Sequence, residues 1–235
     1  MSYVLKEQIA AAGNYGGFRP ASQIQYLVIH YTGNDGDTAE GNGRYFANNT
    51  VKASAHYFVD DTTVLRSVPE LRIAWAVGGS LWSDAKKTGG GSMYGVITNA
   101  NSISVEMCDT LKDGVYQASD ATIRNTVSLC RVLMDRYSIP IERVVRHFDV
   151  TGKHCPAYLM DADKWSAFKL KLEDKAMDNT PAPYAVDAVA WAKKAGILQG
   201  GANGDLKLSS QLTRQQFVTM LYRYHKYLIE RMGQL

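Results

Sequence analysis

The sequence has 235 residues, of which 46% are hydrophobic, and its formal net charge is +3 at pH 7. This length allows one domain of about 150 to 180 residues and a small second module. The sequence contains no uncharged apolar run of about 18 residues and no basic cluster interleaved with aromatic residues, so we expect neither membrane insertion nor nucleic-acid binding.

The first predicted elements are a buried strand, a helix and a hairpin. Residues 26–31, YLVIHY, form a continuous β-branched and aromatic run, which is typical of a strand buried on both faces of a central sheet. A polar turn, TGNDGD, follows it, and residues 38–48 predict a helix. The runs HYFVD and TTVLRSVP, which meet at Asp60 and Asp61, then predict a β-hairpin.

Residues 71–95 predict a long surface loop, because they are rich in Gly, Ser and Trp and show little periodicity. Such a loop can form one wall of a groove. Its aromatic residues Trp75, Trp82 and Tyr94 are candidates for contact with a sugar or a peptide. The alternative for each of them is an aromatic side chain that covers the core.

The next elements are a further strand and two helices. Residues 102–108, SISVEMC, alternate in polarity, which places Glu106 on the face of the strand opposite the apolar residues. The apolar spacing predicts a long helix over 119–138 and an amphipathic helix over 161–175. Strands and helices are intermixed, so we predict an α/β fold with a mixed central β-sheet flanked by helices, plus a small C-terminal helical module.

Residues 145–156, VRHFDVTGKHCP, contain two residues that bind borderline metals, His147 and Cys155. Their separation is longer than the three or four residues between ligands on one helix face, so we predict a loop that folds back on itself. Two more histidines, His30 and His56, stand at the ends of apolar runs. Three converging protein ligands with one open position would make a catalytic zinc site.

The three cysteines are odd in number and widely spaced, which argues against a disulfide framework. We expect Cys108 and Cys130 to lie in the buried core and Cys155 to be the reactive or ligating thiol. Its neighbour His154 is expected to stay outside a metal site, because adjacent side chains rarely both reach one ion.

The C-terminal part has a different composition. Residues 178–183 predict a short proline-rich linker between a first domain, residues 1–177, and a helical module, residues 184–235. The module is predicted to contain a helix over 185–195 and a second helix that Thr213 caps. Residues 1–177 carry 19 basic and 19 acidic side chains, whereas the rest carries 7 and 4, so the whole charge excess lies in the C-terminal part.

Five motifs resemble those of one family, in its order and spacing: VIHYTG, SAHYFVD, IAWAVGG, SISVEMC and RHFDVTGKHCP. Over roughly residues 20–170 the sequence is similar to the zinc-dependent N-acetylmuramoyl-L-alanine amidases, which include phage endolysins, autolysins and peptidoglycan-recognition proteins. The resemblance implies a Zn2+ cofactor with His30, His147 and Cys155 as the metal ligands.

The resemblance also implies roles for other residues. Glu106 and Lys153 fall on catalytic positions of endolysin-type members. The positions implied to bind substrate are His56, Tyr31, Thr32 and Trp75. Two residues depart from the family pattern. Ala55 replaces an active-site tyrosine of some members, which shifts proton transfer toward Glu106, and Ala76 replaces a histidine of the AWHxG motif, which puts one groove contact in question.

The C-terminal stretch resembles one repeat of an S-layer homology module, in which a helix, a Gly-rich loop and a TRxxF helix form a cell-wall binding unit. Such modules usually act in threes, and one is visible. The resemblance therefore implies either a dimer that forms through this module or a degenerate wall-docking unit. A helical hairpin packed against the first domain is the alternative.

The expected function is hydrolysis of the amide bond between N-acetylmuramic acid and L-alanine in peptidoglycan. The N-terminus lacks the order of a signal peptide, so we expect synthesis in the host cytoplasm and action on the wall after release. Two alternatives remain open at this point. One is a peptidoglycan-binding protein without turnover, and the other is a peptidase with Cys155 as nucleophile and His147 as base.

Overall fold

The computed structural model describes residues 3–173, 179–200, 204, 206–208, 210 and 212–232. The chain divides into two compact units, Met1–Asp174 and Lys175–Leu235. The predicted end of the first domain at residue 177 and the start of the linker at residue 178 lie outside the described residues.

The first unit is built on two β-sheets. Its strands are β1 Val4–Glu7, β2 Tyr15–Phe18, β3 Tyr26–Asp35, β4 Tyr57–Val59, β5 Thr63–Arg66, β6 Arg72–Ala74, β7 Ser102–Lys112, β8 Val115–Gln117 and β9 Val144–Arg146. The main sheet has the order β1-β5-β4-β7-β3-β9, with β8 paired to the end of β7, and β2 pairs with β6 in a separate small sheet. The central strands β4, β7, β3 and β9 are parallel, whereas β5 is antiparallel to β4.

Helices cover both faces of the main sheet. They are α1 Ala39–Asn48, α2 Ala85–Thr88, α3 Asp120–Tyr137, α4 His147–Thr151 and α5 Ala162–Glu173. The largest core cluster joins Leu27 and Val105 of the sheet to Leu133 of α3 and Phe168 of α5. On the other side, Phe58 and Leu65 form a smaller cluster with the first residue of α1. The predicted mixed sheet flanked by helices is therefore confirmed.

The helix boundaries follow local capping signals. Thr38 accepts a hydrogen bond from the backbone N–H of Gly41 and begins α1. Ser119 accepts one from the N–H of Thr122 and begins α3. The strand predicted over 26–31 is longer than expected, because β3 continues through the polar residues up to Asp35. The predicted hairpin is present as the antiparallel pair β4 and β5.

In the described part of the second unit, the α-helices are α6 Val186–Lys194 and α7 Arg214–Met232. The hydroxyl of Thr213 accepts a hydrogen bond from the N–H of Gln216, and the Gln216 side chain accepts one from the N–H of Thr213. This reciprocal cap fixes the start of α7. Trp191 of α6 packs edge-on against Tyr224 and Tyr227 of α7. Among the residues that the structure describes, no helix is long and apolar enough to cross a membrane.

Candidate metal centre

The ends of three parallel strands bring the predicted site residues together. In the strand register, His30 of β3 pairs with Glu106 of β7, and Ile29 of β3 pairs with Arg146 of β9. His147 follows Arg146 directly in the chain. Because neighbouring parallel strands end at the same edge of a sheet, the three side chains reach one place, which is where α/β proteins commonly form their sites.

A tight return brings Cys155 to the same edge. The predicted loop contains the short helix α4, because Asp149 accepts a hydrogen bond from the N–H of the residue before the helix and caps its first turn. The helix ends at Gly152, whose φ of 82° lies in the left-handed region that favours glycine. The N–H of Phe148 then donates to the carbonyl of Cys155 at 2.9 Å, which closes the return.

His30, His147 and Cys155 form one buried cluster. A ligand atom from each lies within 4.8 Å of the others. The Sγ of Cys155 lies 3.8 Å from Nδ1 of His30, and the two imidazole centroids are 4.6 Å apart. The exposed fractions are only 1%, 5% and 1% for His30, His147 and Cys155. The geometry therefore presents two nitrogens and one sulfur to a common point.

The electrostatics favour neutral imidazoles. Burial lowers the pKa of His30 well below its ordinary value, and the charges of His147 and Lys153 lower it further. Burial also lowers the pKa of His147 to about 4, again with a contribution from Lys153. Burial raises the pKa of the Cys155 thiol. A neutral imidazole has a free lone pair, whereas a buried thiolate needs a nearby cation to offset its desolvation.

The donor set fits a metal ion. Nε2 of His30 and Nδ1 of His147 are buried and have no hydrogen-bond partner among the described residues. Buried polar atoms are almost always paired, so ring nitrogens left unpaired in a buried His–His–Cys cluster indicate a ligand bound within it. Two histidines and one cysteine are ligands typical of zinc, and three protein ligands leave a fourth position open.

Glu106 lies next to this cluster. Its Oε1 is 3.8 Å from Nδ1 of His30, and its Oε2 is buried without a partner among the described residues. Burial raises the pKa of Glu106 to about 8, although the charge of Lys153 acts in the opposite direction. Lys153 itself is exposed on the return to Cys155. A carboxyl group with a raised pKa can carry a proton near neutral pH.

The predicted substrate residues occupy different surroundings. Tyr31 and Thr32 continue β3 directly after His30 and are half-buried. The Tyr31 ring packs edge-on against Tyr158, with centroids 5.9 Å apart. Trp75 is half-buried on another segment, where its backbone N–H donates to the hydroxyl of Ser54 at 3.1 Å. Tyr31 and Thr32 therefore lie next to the metal ligand His30 in the chain. Trp75 lies on a different segment, directly after β6 of the small sheet.

His56, which was predicted to contact substrate, lies in the core of this structure. Its side chain is fully buried, with 0% exposure. Nδ1 accepts a hydrogen bond from the N–H of Ser104 at 3.0 Å, and Nε2 lies 2.9 Å from the guanidinium of Arg19. Burial and Arg19 lower its pKa to about 3. Because every ring nitrogen is engaged inside the core, His56 holds strands together and cannot reach a ligand.

Asp109 is a residue that the sequence reasoning missed. It is 3% exposed and accepts hydrogen bonds from the hydroxyl of Thr32 at 2.9 Å and from the N–H of Asn34 at 3.3 Å. These bonds hold the segment that follows His30. A signal was present, because Asp109 directly follows the predicted strand that carries Glu106, and acidic residues at the ends of parallel strands often have a role in the site.

His154 stays outside the cluster, as predicted. Its Nε2 lies 3.1 Å from a carboxylate oxygen of Asp84, and its ring stacks on Trp82 with centroids 5.8 Å apart. Both His154 and Trp82 are exposed. Tyr94 is also exposed, and its hydroxyl donates to the carbonyl of Gly79. The segment 71–95 therefore presents aromatic rings to solvent, although it also contains the helix α2.

A buried His–His–Cys cluster beside a carboxyl group, on neighbouring parallel strands of an α/β protein, is a donor set of the kind that holds zinc in metal-dependent hydrolases. The profile of the N-acetylmuramoyl-L-alanine amidase family matches residues 20–158, and the chain belongs to this family. A second profile, that of the S-layer homology domain, matches residues 177–218.

Curated relatives carry the same family name. N-acetylmuramoyl-L-alanine amidase BlyA from Bacillus subtilis, strain 168, is 34% identical over 164 residues, which cover 67% of this chain and 44% of BlyA. N-acetylmuramoyl-L-alanine amidase CwlL from Bacillus licheniformis is 31% identical over 188 residues, which cover 77% and 50%. The chain therefore spans about half the length of these relatives.

Solved structures share the fold of the first unit. PlyL superposes with a TM-score of 0.56 at 29% identity, over 72% of this chain and 96% of PlyL. The catalytic domain of XlyA superposes with a TM-score of 0.55 at 25% identity, over 72% of this chain and 99% of that domain. The similarity thus covers nearly the whole of each compared structure.

Proposed function

We propose that this chain hydrolyses the amide bond between N-acetylmuramic acid and L-alanine in peptidoglycan, with Zn2+ as cofactor. The observation that carries the proposal is the buried cluster of His30, His147 and Cys155 beside Glu106, in a chain of the amidase family. A second reading of the same residues, a peptidoglycan-binding protein without turnover, would need neither the thiol ligand nor the carboxyl group beside the cluster.

The three ligands would hold the ion in a dry pocket. A zinc ion bound there supplies a Lewis acid that activates water and polarises the scissile carbonyl. His30 and His147 contribute neutral nitrogens because burial keeps their pKa values low, and Cys155 contributes the negative charge. The N–H of Tyr31 hydrogen-bonds to the thiol and steadies its sulfur.

Glu106 is the proposed general base and acid. It accepts a proton from the attacking water and passes it to the nitrogen of the leaving amine. The raised pKa of Glu106, about 8, suits a group that must both take and return a proton. Ala55 is 1% exposed and has no hydroxyl, so this position supplies no group that could share the proton transfer with Glu106.

Lys153 is the proposed electrostatic partner. Its positive charge acts on His30, His147 and Glu106, and it lies on the exposed side of the return, where substrate can approach. A cation at this place stabilises the negative charge that develops on the carbonyl oxygen. Tyr31, Thr32 and Trp75 remain proposed substrate contacts.

A cysteine peptidase is disfavoured by the surroundings of Cys155. The thiol is 1% exposed, so a substrate carbonyl has little room to reach it. Burial also raises its pKa, whereas a nucleophilic cysteine needs a lowered one. Nδ1 of His30, which a peptidase with His147 as base does not use, lies 3.8 Å from the sulfur.

The second unit is the proposed wall-docking module, within a division into residues 1–177, a linker at 178–183 and a module at 184–235. It contains a cavity of about 490 Å³ whose lining includes Lys207 and Arg223. Residues 178–235 carry 7 basic and 4 acidic side chains, which favours anionic wall polymers as partners. Action at the cell wall and pairing of two copies through this module belong to the same proposal.

The test is digestion of purified cell walls by the full chain. Cleavage of the proposed bond releases new N-terminal alanine and no new reducing sugar. Release of reducing sugar would assign a glycosidase activity, and release of neither would favour the binding protein. Loss of activity with a chelator but not with a thiol alkylator separates zinc from cysteine catalysis, because the buried thiol is protected.

A further inference from the structure

Arg146 is a buried arginine that directly precedes the proposed metal ligand His147. It is the last residue of β9, and it is 9% exposed. A guanidinium group removed from water is unfavourable unless its N–H groups are paired, so the partners of a buried arginine show what it holds together. Each of the three guanidinium nitrogens of Arg146 donates a hydrogen bond within the protein.

One set of partners lies on the chain just after His147. Nε and Nη2 of Arg146 donate to the two carboxylate oxygens of Asp149 at 3.1 and 2.7 Å. The backbone N–H of Arg146 donates to the same carboxylate at 2.8 Å. Two parallel bonds between a guanidinium and a carboxylate fix the orientation of both groups. Because His147 lies between Arg146 and Asp149 in the chain, this pair fixes its backbone in the first turn of α4.

The other set of partners lies on the chain beyond Cys155. Nη1 of Arg146 donates to the carbonyl oxygens of Leu159 and Met160 at 2.8 and 3.2 Å. Leu159 ends a single 3-10 turn, Ala157–Leu159, that begins two residues after Cys155. The same guanidinium therefore joins the segment that carries the second histidine ligand to the segment that carries the thiol ligand.

The third proposed ligand lies on the strand next to β9. In the register of β3 and β9, Ile29 pairs with Arg146, and His30 follows Ile29 in the chain. The backbone of Arg146 thus lies beside β3, while the residue itself precedes His147 and its guanidinium reaches the chain beyond Cys155. A displacement of Arg146 would therefore change the distances among all three donors.

Two aromatic rings enclose the guanidinium group. Its central carbon lies 4.9 Å from the ring centroid of Phe148 and 5.3 Å from that of Trp165 in α5. Contacts between a guanidinium and the faces of aromatic rings are favourable, and a surrounding of low dielectric constant strengthens the hydrogen bonds within it. The rings thus help to keep the side chain of Arg146 in one position.

We infer that Arg146 is a positioning residue for the metal centre, which holds His147 and Cys155 where both can bind one zinc ion. The inference rests on the proposed function, which includes the ion. Groups that orient metal ligands commonly contribute about 10- to 100-fold to metal affinity. A lysine does not replace Arg146, because its single nitrogen cannot reach both the carboxylate and the carbonyls in a planar fork.

A role in stability alone makes a different prediction. If Arg146 only stabilises the fold, its replacement lowers the stability of the metal-free protein, and the chain that remains folded binds zinc with unchanged affinity. If Arg146 positions the ligands, the folded chain itself binds zinc more weakly, because the donors must then be ordered when the ion binds. The zinc affinity of the folded protein separates the two roles.

The test measures zinc binding by the metal-free full chain in competition with a chromophoric chelator of known affinity. Arg146→Lys keeps the positive charge but loses the fork, and its dissociation constant for zinc should rise by about 10- to 100-fold. The matched control Arg143→Lys changes an exposed arginine three positions earlier and should bind zinc as the wild type does. The absorption of bound Co2+ reports on the site geometry, and its tetrahedral bands should weaken in Arg146→Lys.

Circular dichroism of the metal-free proteins checks that each variant is folded. If folded Arg146→Lys binds zinc as tightly as Arg143→Lys, the inference is overturned and the proposed function stands. If Arg146→Lys does not fold, Asp149→Asn decides the question. This variant keeps one oxygen for the cap of α4 but loses the second oxygen of the fork, so its zinc affinity should fall by about tenfold. Wild-type affinity in Asp149→Asn would then overturn the inference. A wild-type chain that binds no zinc rejects the proposed function itself, together with the inference.

Discussion

The first unit contains a core of large apolar side chains that are almost fully buried, whereas the described part of the second unit contains almost no buried apolar side chain. Leu27, Ile29 and Leu133 are 0% exposed in the first unit. Among the described residues of the second unit, Ile197 is the one buried apolar residue, and α6 and α7 contain none.

This contrast separates two kinds of stability. The first unit has a core that holds the site residues rigidly, and a site that must position ligands within fractions of an ångström needs such support. The described part of the second unit is held by a helix cap and a few ring contacts. Chemistry and docking are thus assigned to regions whose stability has different origins, and variants in one region should leave the function of the other intact.

The largest expected effect is the loss of the metal. Cys155→Ser should reduce zinc from about one ion per chain to a trace and abolish wall hydrolysis, because a serine hydroxyl is a poor ligand. Metal analysis and the alanine-release assay measure both effects. Cosedimentation with intact walls should persist, since it depends on the second unit.

The control Cys130→Ala alters a buried thiol of α3 and should keep zinc and activity. Full activity of zinc-free Cys155→Ser would reject the assignment.

The next effect is on turnover alone. Glu106→Gln keeps the shape of the side chain but removes its acid–base function, so turnover should fall by about two to four orders of magnitude with zinc content unchanged. Glu142→Gln, at an exposed glutamate of the same unit, should retain the wild-type rate. If Glu106→Gln cleaves walls at nearly the wild-type rate, another group transfers the proton.

The sequence predicted the mixed sheet, because long periodic segments such as 26–31 and 119–138 have strong local signals. It also predicted which residues meet, since His30, His147 and Cys155 are brought together by strand order and by one short return. The burial of His56 was not predicted, because a motif gives the residue type and not its surroundings. That burial depends on Arg19, which reaches His56 from 37 positions away in the sequence.

The boundaries were harder to predict for a physical reason. The strand β3 extends to Asp35 because its polar residues pair with β7 and with Asp109, and such pairing is invisible in hydrophobic periodicity. The helix α4 is only five residues long, and it depends on a cap from Asp149. Long-range contacts and local side-chain hydrogen bonds therefore set the element boundaries that hydrophobic periodicity did not predict.

Unfolding should show a difference of a few kcal/mol between the units. Leu133→Ala removes a fully buried side chain and should lower the free energy of unfolding of the first unit by about 2 to 5 kcal/mol. Val186→Ala, at a position of α6 that is 47% exposed, should change stability by no more than about 0.5 kcal/mol. Denaturant titration followed by circular dichroism measures both variants. Similar losses in the two would indicate that the second unit has a core of its own.

The smallest effect concerns wall binding and salt. Raising the ionic strength from 0.1 to 1 M shortens the Debye length from about 10 Å to about 3 Å, so a docking unit with a net charge of +3 should bind walls about two- to fivefold more weakly. Cosedimentation with purified walls measures the bound fraction. A chain that ends at Glu173 should bind walls less than the full chain and show little further change with salt.

The shortened chain also tests whether the units are independent. It should stay folded and cleave soluble muropeptides at the rate of the full chain, because the core and the site residues all lie before residue 174. It should also sediment as a monomer, since the module proposed to pair two copies is gone. Equal wall binding by both chains would reject the docking role. An insoluble shortened chain would instead indicate that residues 174–235 form a helical hairpin that the first unit needs for its own stability.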